Sequence, residues 1–135
     1  VGYGGQAKII MDYFNIKEYN FVDLPEASTL TKKYLGKFKY DNLNFLDFNN
    51  LLEKKYDLII SNYALSELTR DIQNLYIDKI INNSSHGYMM MNMHGFTIKH
   101  GISSPAEWSN IIPNSKTEPD LPMTGNGNYI LTFNR

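Results

Sequence analysis

Gly2-Tyr3-Gly4-Gly5-Gln6-Ala7 stands at the head of the chain, and Tyr19-Asn20-Phe21-Val22-Asp23 follows it. Glycine has no side chain and tolerates positive φ, so the first stretch reads as a tight bend that lets backbone approach a ligand closely. Ile9, Ile10, Tyr13 and Phe14 recur at helical spacing and predict a helix over residues 5–16. The second stretch reads as a short strand ending in an acid. Bend, helix, strand and terminal carboxylate form the opening of an α/β fold with its ligand end at the bend.

The rest of the chain continues the alternation. Pro25 suits the first turn of a second helix, with Leu30, Tyr34, Leu35 and Phe38 as its apolar side and Gly36 as its end. Leu43-Asn44-Phe45-Leu46-Asp47 reads as a strand. Tyr56-Asp57-Leu58-Ile59-Ile60-Ser61-Asn62 is the clearest one, a compact apolar run suited to burial on both faces. Leu68, Ile72, Leu75, Tyr76, Ile80 and Ile81 predict a helix between Leu65 and Asn83, and Tyr88 to Met93 a buried strand. Ser104-Pro105 resembles an N-cap with proline at the first helical position, ahead of a short helix at Trp108. The stretch from Pro113 to Pro122 reads as irregular. Gly125-Asn126-Gly127-Asn128 is a turn signal, and Tyr129 to Phe133 closes a terminal antiparallel hairpin. The expected class is α/β, a Rossmann-like doubly wound and mostly parallel sheet with that hairpin at its C-terminal end. Residues 1–135 are expected to form a single, partial domain. Val1 is not Met and runs straight into the glycines, so a strand is expected upstream. Without that strand, which lies centrally in such sheets, the isolated chain is expected to be poorly stable.

Composition narrows the function. Thirteen basic and fourteen acidic residues give a net charge of -1, with no basic stripe interleaved with aromatics, so nucleic acid is not an expected partner. No apolar run approaches the roughly 20 residues that span a bilayer, so no membrane segment is expected. The absence of cysteine excludes disulfides, cysteine-based zinc sites and thiol nucleophiles, and is compatible with the cytoplasm, the expected location. The histidines lack paired metal-ligand spacing, so no metal is expected. Nothing fixes an oligomeric state.

The glycine bend alone is an ordinary turn signal as well as a ligand loop. Asp23 adds weight, because a carboxylate at the end of the next strand, roughly 20 residues on, can accept both ribose hydroxyls of an adenosine cofactor. The pair does not separate a methyl-transfer enzyme from a dinucleotide dehydrogenase, since Gly2 to Ala7 also satisfies the looser Gly-x-Gly-x-x-Ala fingerprint.

Gly2-Tyr3-Gly4-Gly5-Gln6, Val22-Asp23-Leu24-Pro25-Glu26 and Ser61-Asn62-Tyr63-Ala64-Leu65-Ser66-Glu67-Leu68 together resemble, in order and spacing, successive motifs of the sugar O-methyltransferases, class I enzymes dependent on S-adenosylmethionine. The resemblance covers most of the chain but lacks the strand and acid that usually precede the glycines. It implies S-adenosyl-L-methionine as cofactor and a saccharide or other small-molecule hydroxyl as acceptor. It places Gly2, Tyr3, Gly4 and Gly5 beside the methionine part, and Asp23 and Leu24 at the ribose and adenine. Asp47 occupies the place where such enzymes receive the adenine amino group, with Phe48 over the ring; a loop-capping aspartate is the equal alternative. Asn62 and Tyr63 end the strand that faces cofactor and substrate.

Removing a proton from a sugar hydroxyl calls for a base near the fourth and fifth strand ends. The candidates are His94 first, then Glu67 and, last, His100; the competing reading has His94 bonded to backbone and Glu67 facing solvent. Met89, Met90, Met91 and Met93 read as core packing. A nicotinamide oxidoreductase and a non-catalytic scaffold of the same fold stay open as other readings.

Overall fold

The computed structural model describes residues 2–93, 99–122 and 124–135. The chain falls into two compact units, Val1–Leu51 and Leu52–Arg135.

The first unit holds helix α1 (Gly5–Tyr13), strand β1 (Tyr19–Val22), helix α2 (Pro25–Leu35) and strand β2 (Leu43–Leu46). β1 and β2 pair in parallel with Val22 opposite Leu46, so α2 is the crossover that parallel pairing demands. Pro25 occupies the first turn of α2 and Gly36 its C-cap, where the Gly36 N–H donates to Lys32 O at 2.8 Å. The core is small: Ala7, Phe21 and Leu35 are buried, flanked by Tyr19, Tyr34, Tyr40, Leu43 and Phe45. Phe21 stacks on Phe45 with ring centroids 4.8 Å apart. α1 ends at Tyr13, short of residue 16, and its expected apolar face is turned outward. Ile9, Tyr13 and Phe14 are exposed, while Ala7 is the residue the helix buries. The close approach at Gly4, where a side chain would strike Thr31 and Leu35 of α2, selects the small-residue side of α1 for packing.

The second unit holds β3 (Tyr56–Asn62), a 3₁₀ turn (Leu65–Glu67), α3 (Arg70–Lys79), a second such turn (Ile81–Asn83), β4 (Ser84–Met91), α4 (Pro105–Ile111), β5 (Lys116–Pro119) and β6 (Tyr129–Asn134). Its four-stranded sheet has the order β3-β4-β6-β5. β3 and β4 are parallel, whereas β4–β6 and β6–β5 are antiparallel. Parallel pairs joined by helices, followed by an antiparallel hairpin, make the mixed α/β fold read from the sequence. Leu65, Ile77, Ile81, Met89, Met91, Ile102, Trp108, Ile112, Tyr129, Leu131 and Phe133 form the core. Met89 and Met91 are fully buried on one face of β4, which is packing, as their alternation suggested.

Three further differences from the sequence reading lie in the second unit. The helix expected between Leu65 and Asn83 is broken, because Leu68 and Thr69 are extended and Thr69 serves as the N-cap of a shorter α3. β4 begins at Ser84, ahead of Tyr88. The stretch read as irregular contains β5, an edge strand exposed along its whole length and ending at Pro119.

Candidate functional site

In the first unit, positive φ falls at Gly2 (62°) and Gly4 (95°), the residues leading into α1. The two glycines are required for different reasons. A side chain at Gly4 would come within 2.9 Å of Thr31 Cγ2, and one at Gly5 within 2.5 Å of the Tyr3 hydroxyl, so both are explained by packing within the protein. At Gly2 no atom lies within 4 Å of where a Cβ would stand. The loop is fastened to α2: the Thr31 hydroxyl lies 3.0 Å from both Gly2 O and Ala27 O, and Tyr3 packs edge-on against Tyr34 with centroids 5.0 Å apart.

α2 in turn begins directly after Asp23 and Leu24. The Asp23 N–H continues the ladder to Leu46 O at 3.2 Å, and its Oδ1 accepts the Leu24 N–H at 2.8 Å. Because Val22 is opposite Leu46 in a parallel ladder, Asp23 and Asp47 leave their strands at the same end of the sheet. Asp47 Oδ1 accepts the Asn49 N–H at 2.8 Å and its own N–H donates to Asn50 Oδ1 at 2.7 Å, the bonds of a residue that closes a turn. Leu24 (60% exposed) and Phe48 (42%) place apolar surface beside these carboxylates.

In the second unit the carboxyl ends of the parallel strands β3 and β4 carry another constellation. Asn62 is the last residue of β3, and Tyr63 follows it with φ 62°, a conformation that a bulky residue adopts only when its surroundings enforce it. The Tyr63 N–H donates to Met90 O at 2.8 Å. The buried Ser66 hydroxyl lies 2.7 Å from Tyr63 O and 2.6 Å from Asn92 Oδ1, and accepts the Asn92 N–H at 3.1 Å. Tyr63 is thus clamped on both sides of its peptide unit. Its side chain enters a cleft of about 430 Å³ lined by Tyr63, Glu67, Asn92, Thr124 and Asn128. The Tyr63 hydroxyl is 3.1 Å from Asp120 Oδ2 and 2.7 Å from Thr124 Oγ1. Thr124 also donates to Asp120, and accepts from Asn128 Nδ2 at 3.0 Å. Asp120 is 4% exposed.

Of the two bases singled out, Glu67 lines this cleft and accepts a hydrogen bond from Asn92 Nδ2 at 3.2 Å. His94 lies outside the described residues. Asn92, Asp120, Thr124 and Asn128 were not anticipated. Asp120 and Thr124 stand in a stretch with no periodicity, and only the Gly125 to Asn128 turn signal marked their neighbourhood. Among the described residues no group of three or more His, Asp or Glu side chains is placed to hold a metal ion. No helix among them is long and apolar enough to cross a membrane.

No protein-family model matches the chain, and no curated protein matches it. Solved structures do. An rRNA methylase from Streptococcus thermophilus superposes with a TM-score of 0.70 at 13% identity, over 99% of this chain and 81% of that one. The fold is one that methyltransferases share. The mitomycin 7-O-methyltransferase MmcR matches with a TM-score of 0.67 at 15% identity over 99% of this chain. A LepI variant solved in complex with SAH and a substrate analogue matches at 0.64 with 8% identity over 98% of it. The chain spans 46% of the length of MmcR and 40% of that of LepI.

Proposed function

We propose that this chain is the cofactor-binding part of an S-adenosylmethionine-dependent methyltransferase that acts on a hydroxyl group, with a sugar as acceptor. The observation that carries the reading is the common exit of Asp23 and Asp47 from one parallel strand pair, in the same unit as a glycine loop of positive φ fastened to α2. The donor set fits such a cofactor. Gly2 leaves open space where a side chain would be, Asp23 brings a carboxylate suited to ribose hydroxyls, and Leu24 and Phe48 offer exposed apolar surface suited to adenine. When bound, the cofactor supplies an electrophilic sulfonium methyl group.

The residues of the chain would then bind and orient. Asp23 would accept hydrogen bonds from the ribose hydroxyls. Leu24 and Phe48 shield the ring from water, and the Gly2–Gly5 backbone leaves the methionine end unobstructed. Alignment of a hydroxyl with the methyl carbon supplies much of the acceleration in an in-line transfer.

The test is calorimetry on the full-length protein with S-adenosylhomocysteine and, separately, NAD. Saturable heat with the former and none with NAD is expected. Saturable binding of NAD alone would move the chain to the oxidoreductases, and binding of neither, with no methyl transferred to any sugar from labelled donor, would make it a scaffold.

A further inference from the structure

We infer that the cleft of the second unit receives the hydroxyl acceptor, a neutral polyhydroxylated molecule, and that Tyr63, Thr124 and Asp120 form the relay that takes up its proton. The inference rests on the methyltransferase reading above and adds to it the acceptor's chemistry and the destination of the proton.

The direction of the hydrogen bonds decides it. Asp120 is an acceptor when ionised. Thr124 has a single hydroxyl proton, which goes to Asp120, while its oxygen accepts from Asn128. The Tyr63 proton is then directed inward too, to Thr124 at 2.7 Å or Asp120 at 3.1 Å. Three oxygens lie within hydrogen-bonding distance of one another, and the two hydroxyls contribute only two protons to the three contacts. The cluster can therefore take up one more. Tyr63 lines the cleft, and its oxygen, with its own proton directed inward, keeps a lone pair that can accept from a donor. Glu67 adds a second acceptor, while Asn92 Nδ2 and Asn128 Nδ2 each use one of their two N–H donors within the wall, on Glu67 and on Thr124. A wall that carries the Glu67 carboxylate, with the buried Asp120 carboxylate behind Tyr63 and Thr124, matches hydroxyl groups and repels anions.

The step balances. A bound donor would supply the methyl group and keep the sulfur–carbon electron pair on sulfur, and the acceptor, gaining the methyl on its oxygen, would give up the proton of its O–H bond. That proton passes to the Tyr63 oxygen, the Tyr63 proton to Thr124, and the Thr124 proton to Asp120, which ends as a neutral acid. Tyr63 touches the acceptor and is the catalytic residue; Thr124 and Asp120 act through it.

The experiment uses the full-length protein and a panel of neutral methyl hexopyranosides, with glucuronate as the anionic control. Binding is read from the side-chain amide resonances of Asn92 and Asn128 in ¹H–¹⁵N spectra recorded with S-adenosylhomocysteine. Shifts with at least one neutral glycoside, none with glucuronate, and their loss in Tyr63→Phe are expected. In the transfer assay Asp120→Asn keeps an acceptor for Thr124 but cannot hold a proton as an acid, so kcat falls about 100-fold with KM nearly unchanged. Thr124→Val interrupts the relay at an exposed position and gives the same kcat loss, which keeps the test open if the buried Asp120 variant folds poorly. Unmoved amides with every glycoside, or an unchanged kcat in Thr124→Val, would overturn the inference while retained S-adenosylhomocysteine binding left the cofactor reading intact. Absence of that binding in the unaltered protein would instead remove the reading beneath it.

Discussion

Asp23 is where one side chain bears most directly on function. Its carboxylate is expected to accept charge-assisted hydrogen bonds from a ribose, each contributing about 1.5–3 kcal/mol. Asp23→Asn should therefore weaken S-adenosylhomocysteine binding by about tenfold or more by calorimetry while leaving the melting temperature nearly unchanged; equal affinities would remove Asp23 from the site. Glu107 makes a separate prediction. The Arg70 guanidinium, 2.7 Å away, and the backbone N–H of Ser104 hold its carboxyl down at about 2. A depressed carboxylate contributes stability above its unfolded value and loses it as pH falls through the folded one, here from about 4.5 down to about 2. The Glu107 side chain is 41% exposed, so screening limits the effect to on the order of 1 kcal/mol. Glu107→Gln should melt below the unaltered protein at about pH 6 and approach it at about pH 2; a constant gap would refute the linkage. Some residue roles were legible in sequence because they follow from local chemistry, such as Ser104 as N-cap and Pro105 in the first turn, to which the structure adds Glu107 as the partner of Ser104 in a capping box. Asp120 was not, because its partner Tyr63 is distant in sequence and their meeting is created by the hairpin.

At the scale of elements, legibility follows burial. β6 alternates buried and half-buried residues and was read from its pattern, whereas β5 has no buried face and therefore no hydrophobic alternation to read. The break ahead of α3 was hidden because apolar spacing runs straight through it. Gln73, fully buried, bonds across it: its amide donates to Leu65 O at 3.0 Å and accepts the Ile102 N–H at 2.5 Å. Gln73→Leu strands those backbone groups and should cost about 1–3 kcal/mol for each left unpaired, read as a lowered denaturation midpoint. In β4, Gly87 lies opposite Phe133 of β6, and a Cβ there would stand 2.1 Å from the Phe133 ring. Gly87→Ala should destabilise by about 1–3 kcal/mol, and adding Phe133→Leu should recover part of that loss. Additive losses in the double variant would place the strain elsewhere.

Over the whole molecule, the two units are unequal in what holds them. The first has a two-stranded sheet and three buried apolar residues, Ala7, Phe21 and Leu35, while the second has four strands around a much larger core. An isolated strand pair is marginal in water, so amides of β1 and β2 should exchange at least tenfold faster than those of β4 and β6. Equal protection would show that the units open together. A ligand held by Asp23 and the glycine loop should narrow that difference, by about 2.7 kcal/mol at a concentration 100 times its dissociation constant. Trp108 is the single tryptophan of the chain, fully buried in the second unit, and its indole N–H finds no hydrogen-bond partner among the described residues. Its fluorescence should accordingly be shifted to the blue and remain so while the first unit opens, turning red only when the larger core is breached. The protein thus carries a built-in optical reporter of its larger core.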